Sequence, residues 1–181
     1  MKKVLSLVLA AVMLFALSSA AFAADVELEC VELNYDAIEE VPYEGDWFTV
    51  CEAFDMYLPV DWHEIELTEE DNENGVIMIY CDEAEEHIVS VGFISADQID
   101  SSITTLDEMA EVYMEDYDDV TMYSLNEIPA FGYTDEEEDA YYLYMPDDEG
   151  NVYMIVFYPV SDEEFIDWIV TMIASVSVIG E

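Results

Sequence analysis

Two histidines, three cysteines and 45 acidic residues are the side chains on which any chemistry must rest. His63 and His87 are of general-base type, but no Gly-x-Ser-x-Gly and no cysteine with a recognisable histidine partner accompanies them. Each reads as a strand or loop histidine, and no catalytic residue is assigned. Cys51, His63, Cys81 and His87 have the right ligand types for zinc, yet Cys-x11-His and Cys-x5-His match no compact zinc motif. In an exported chain, Cys51 and Cys81 in strand-like segments are the expected disulfide, with Cys30 left over; three free thiols are the alternative. Among the acids, residues 70–75 look like part of a calcium loop. Cys81 falls where the bidentate Glu belongs, so they read as a turn. Glu115, Asp116, Asp118 and Asp119 sit at the C-terminal end of the helix expected over 105–117, where free carbonyls and carboxylates together suit a hard cation such as Ca²⁺. The acidic run 135–139 reads as a solvated turn.

Charge narrows the function classes. Both cationic residues are Lys2 and Lys3, and from Val4 to Glu181 there is no Lys and no Arg. Nucleic-acid binding is excluded, because phosphate neutralisation needs those side chains, and no Walker lysine can be supplied. The chain is 54% hydrophobic and 13% aromatic, far from the composition of disordered acidic proteins. Lys2-Lys3, the apolar stretch 4–17 and Ala21-Phe22-Ala23 form a bacterial secretory signal peptide over residues 1–23, cleaved before Ala24. The remaining chain has 45 acids and no Lys or Arg, a formal charge of −45. Self-repulsion on that scale predicts that crowding raises many carboxylate pKa values, and that positive charge is drawn from outside.

The elements that must hold these residues follow from periodicity. Residues 24–46 form an acidic lead-in, and 47–181 a single α/β domain without repeats or linkers. Residues 47–54, 63–67, 76–81 and 88–94 have strand patterns, as do 120–125, 129–134, 140–145 and 151–159. Thr105-x-x-Glu108 is a capping box opening a helix over 105–117, and Ser161-x-x-Glu164 opens a closing helix carrying Phe165, Ile169, Met172, Ile173 and Val176. The last two strands are apolar on both parities. They need cover on both faces, which predicts an antiparallel sheet between helices. Tyr141, Tyr142, Tyr144, Tyr153 and Tyr158 then read as sheet residues under that cover rather than a ligand surface.

This order of elements, with Leu58-Pro59-x-x-Trp62, the 105–117 helix, Glu127-Ile128-Pro129-Ala130 and 165–176, resembles the PsbP-like family of small exported α/β/α sandwich proteins. The resemblance covers roughly residues 47–178. It implies a fold and a binding-module tendency, and it brings no catalytic residues. The expected function is a secreted or cell-envelope, non-enzymatic module. Such a module engages divalent cations or basic partners, such as cationic peptides or wall components, and has no membrane span once the signal is removed. The alternatives are a carboxylate- or metal-dependent hydrolase and a surface structural protein assembled through Ca²⁺ bridges.

Overall fold

Strands apolar on both parities belong in the middle of a covered sheet, and that is where β9 and β10 lie. A computed structural model describes residues 30–179; the expected signal peptide, its expected cleavage site and residues 24–29 of the lead-in lie outside the described residues. In chain order the strands are β1 (Cys30–Leu33), β2 (Gly45–Val50), β3 (Phe54–Pro59), β4 (His63–Glu64), β5 (Val76–Cys81) and β6 (Ile88–Ile94). They continue with β7 (Thr121–Leu125), β8 (Ile128–Asp135), β9 (Ala140–Pro146) and β10 (Val152–Tyr158). The helices are α1 (Glu69–Glu73), α2 (Leu106–Tyr113) and α3 (Glu163–Ser175), with a 3-10 turn at Tyr35–Ala37. An 8-stranded sheet runs in the order β1-β7-β8-β9-β10-β6-β5-β4, and β2 and β3 form a separate hairpin. The sheet is not wholly antiparallel as expected. β1 pairs parallel with β7, which the long intervening chain permits.

The two parities of β9 and β10 build two cores. Tyr142, Tyr144, Met154 and Val156 join Met109, Ala110 and Tyr113 of α2. Leu143, Met145, Ile155 and Phe157 join Phe165, Ile169, Met172 and Ile173 of α3, together with Val50, Phe54, Met56 and Leu58 of the β2–β3 hairpin. The architecture is a sheet-rich α+β fold with few helices, not a sandwich of two full helical layers: the hairpin takes a share of the second face. Helix α2 is also shorter than the predicted 105–117. Its capping box forms, with Glu108 N–H donating to Thr105 Oγ1 (3.2 Å) and Thr105 N–H to Glu108 Oε2 (3.1 Å), but it ends at Tyr113 with Met114 as C-cap. The last turn holds no basic residue, and the acids that follow would face the negative end of the helix dipole.

The structure departs from the local pattern in two other places. Residues 70–75 include most of a short helix, α1, opened by a Thr68–Asp71 capping box. The cap of α3 is Asp162 rather than Ser161: Asp162 Oδ1 accepts from Glu164 N–H (3.0 Å) and Phe165 N–H (3.3 Å), while the Ser161 hydroxyl donates to Asp139 (2.8 Å). The β7–β8 turn is held in left-handed backbone at Asn126 (φ 47°) and Glu127 (φ 73°). Asn126 Nδ2 there donates to the carbonyls of Ala174 (3.0 Å) and Val176 (2.6 Å), tying the end of α3 to the sheet.

Candidate functional site

His87 closes the β5–β6 loop and faces the start of α3. Its Nδ1 lies 2.8 Å from Asp82 Oδ2 and its Nε2 lies 3.1 Å from Asp162 Oδ2. A neutral imidazole has one N–H and can donate to one carboxylate; two carboxylate acceptors select the doubly protonated ring. Desolvation pulls the His87 pKa down, but the Asp82 and Asp162 bonds outweigh it and raise the pKa above its ordinary value. Burial likewise pushes Asp82 up, and the bonds from His87 and the loop N–H groups reverse that and lower it. Asp162 is lowered by His87 and by the N–H groups of Phe165 and Glu164. The ring packs 4.7 Å from Phe165, above a shallow hollow lined by Glu86, Pro159, Ser161 and Glu163. When the ring is protonated both nitrogens donate, and His87 then has no lone pair with which to take a proton. It is an ion-pair clasp between the loop and α3. Sequence reasoning missed it because the Asp82 partner is a loop neighbour, whereas Asp162 is 75 residues away.

The expected Cys51–Cys81 disulfide is not formed: Cys30, Cys51 and Cys81 are all free. Cys51 sits exposed in the β2–β3 turn at φ 50°, while Cys81 is fully buried in the core under α2. The hairpin lies on the opposite face, so the two thiols point into different environments. The zinc set does not gather either. Cys81 Sγ is 3.7 Å from Nε2 of its cross-strand partner His63, but His87 is committed to its two aspartates. Burial pushes the Cys81 thiol up, and Glu85 and Asp82 add to it, which disfavours the thiolate that nucleophilic chemistry needs.

Glu115, Asp116, Asp118 and Asp119 are exposed beyond α2. The structure brings this run beside the second acidic run: Thr134 N–H donates to Asp119 Oδ2 (3.0 Å), and the Tyr117 hydroxyl donates to Asp135 Oδ2 (2.8 Å). Among the described residues no three His, Cys, Asp or Glu side chains are placed to hold a metal ion. Here Glu138 is raised by burial, with Asp135 and Glu137 adding and a Tyr142 hydrogen bond opposing. The general raising of carboxylates by crowding is not the pattern elsewhere. Backbone and hydroxyl bonds from Ser102 lower Asp100, those from Thr104 and Thr105 lower Glu108, and in Asp147 bonds from Asn151 and turn N–H groups outweigh burial. Local hydrogen bonds to the ionised form win over diffuse repulsion that water screens.

The tyrosine stripe divides between the two faces. Tyr142 and Tyr144 lie in the core under α2, where the Tyr113 hydroxyl donates to that of Tyr144 (3.2 Å). Burial raises the Tyr113, Tyr142 and Tyr144 phenols far above their ordinary values. On the other face the Tyr141 hydroxyl donates to that of Tyr123 (2.9 Å). These rings are packing residues of the covered sheet.

No family model matches the chain, and no curated protein does. Among solved structures it is similar to the solution structure of cyanobacterial PsbP (CyanoP) from Synechocystis sp. PCC 6803. The identity is 10% and the TM-score 0.50, over 90% of this chain and 99% of that one. A crystal structure from Bacteroides thetaiotaomicron VPI-5482 is similar at 14% identity and TM-score 0.48, over 76% of this chain and 49% of that one. Among the described residues no helix is long and apolar enough to cross a membrane. The chain has a PsbP-like fold.

Proposed function

We propose that the chain is an exported, non-catalytic binding module whose acidic surface takes its countercharge from bound cations or basic partners. One observation carries this reading: 45 acids share a sequence with no Lys or Arg beyond Lys3, and both ion pairs found among the described residues use the same side chain, His87. An uncompensated negative field raises the local concentration of cations and steers basic ligands. Export rests on the signal peptide of residues 1–23. The hydrolase alternative draws no support from the groups able to do chemistry, since His87 is doubly engaged and Cys81 is buried. For hard cations the Glu115, Asp116, Asp118 and Asp119 run, with Asp135 beside it, is the proposed point of contact for Ca²⁺.

The test is calorimetric titration of the signal-free protein with Ca²⁺, Mg²⁺ and a polybasic peptide, paired with thermal melts. Saturating binding of at least one of them, with Tm rising by mass action, is expected. A protein that gives no heat and an unchanged melt with all three refutes the reading.

A further inference from the structure

The outward face of the β2–β3 hairpin is aromatic. Phe54, Met56 and Leu58 of β3 point into the core, so the opposite parity faces away from it: Trp47 and Tyr57 pair across the strands, followed one pleat on by Thr49 and Asp55. Tyr57 lies across Gly45, whose N–H donates to the Tyr57 hydroxyl (2.9 Å). A Cβ at Gly45 would run into the Tyr57 ring, so glycine is what lets the ring lie flat on the strand. Tyr35 packs against Trp47 and Tyr57, with centroids at 5.2 Å from each, and Tyr43 stacks on Tyr57 at 5.6 Å. Tyr43 then meets Trp168 of α3 at 5.0 Å. The result is a continuous row of rings from the hairpin to α3. Even so, Trp47 remains 47% exposed at one end of it.

Both ends of the row carry negative charge. At the Trp47 end Asp55 is the next outward residue on β3, its Oδ1 accepting from the Thr49 hydroxyl at 2.6 Å. At the α3 end Glu40 and Asp167 line a hollow with Ile38, Pro42 and Val170; Pro42 and Asp167 are chain neighbours of Tyr43 and Trp168. Ring faces bear negative electrostatic potential, and Lys or Arg over an exposed indole is the pairing that satisfies both the ring and an adjacent carboxylate. A neutral apolar partner would take water from the flanking carboxylates and supply no charge in return.

We propose that this aromatic row is the docking surface for an extended basic peptide, one cationic side chain lying on Trp47 beside Asp55 and another entering the hollow at Glu40 and Asp167. The inference rests on the binding-module reading and names the site and partner class within it. The experiment titrates an octa-arginine peptide into the signal-free protein, its Trp47→Leu, Trp47→Phe and Asp55→Asn variants, and Asp107→Asn on α2 across the sheet as a control for bulk charge. Trp47→Leu and Asp55→Asn should each weaken Kd by about threefold or more, while Trp47→Phe and Asp107→Asn stay within about twofold of the parent. Amide exchange on the unsubstituted protein should show peptide-dependent protection across β2, a readout that stands even if Trp47→Leu does not fold. Equal weakening by Asp107→Asn and Asp55→Asn, unchanged affinity in Trp47→Leu, or no protection of β2 overturns the site and leaves the module reading intact. A parent protein that binds neither the peptide nor a cation overturns the module reading itself.

Discussion

Replacing His87 by Gln removes the one positive charge held between Asp82 and Asp162 while keeping a polar side chain at the loop end. His87 is 25% exposed and Asp82 22%, so the 2.8 Å bond between them lies between a buried charged pair and an open surface one. Charged hydrogen bonds contribute about 1.5–3 kcal/mol when sheltered and exposed ion pairs about 0.2–1 kcal/mol, which places this arm near 1 kcal/mol. Asp162, 43% exposed, adds an arm that water and salt screen heavily. His87 has a raised folded pKa, so its contribution is complete below the unfolded value of 6.5 and is lost as pH rises through the folded value. Asp82 and Asp162 are lowered, so theirs is complete above the unfolded value of 3.8 and lost as pH falls through the folded values. The clasp is therefore strongest between those two unfolded values. Urea denaturation at pH 6 should show His87→Gln less stable by about 1 kcal/mol, with Tm lower by about 2–4 °C. At pH 9 a neutral ring keeps one N–H bond and no ion pair, so the gap between the two proteins should narrow. An equal gap at pH 6 and pH 9 refutes the charge argument and assigns the effect to ring packing on Phe165.

Two more perturbations probe the turn and the thiols. Asn126→Ala loses two bonds to the buried C-terminal end of α3 and places alanine, without a local partner, at φ 47°; a loss of about 2–4 kcal/mol is expected by chemical denaturation. Asn126→Gly should recover about 1 kcal/mol of it by relieving the backbone, and a glycine variant no better than alanine removes the strain component. Under a thiol reagent Cys30 and Cys51 should react at once and Cys81 only in denaturant. Recovery of a single reactive thiol until reductant is added would restore the Cys51–Cys81 bridge.

Much of the fold was legible in local pattern. The double parity of β9 and β10 required cover on both sides, and the Thr105–Glu108 box marked a helix start because both signals act over a few residues. Helix length was less legible. Continuing apolar spacing through Tyr117 suggested more turns, and the acids after Met114 stopped them through a dipole effect that periodicity does not register. The acidic excess and the lack of Lys and Arg were plain in composition, and with them the exclusion of nucleic-acid and phosphate chemistry.

Pairings between distant residues belonged to tertiary packing alone. His87 meets Asp162 across 75 residues, Asn126 reaches Ala174 and Val176, and Trp47, Tyr57, Tyr43 and Trp168 line up only once the hairpin is laid beside α3. Cys51 and Cys81 looked like partners by strand pattern, yet the sheet lies between the hairpin's face and the core that holds Cys81. Composition and period are sums over neighbours in the chain, so they set the charge, the element types and the apolar faces. Which faces meet, and hence which carboxylate finds a cation and which ring stays open to solvent, follows from chain crossings that no local window contains.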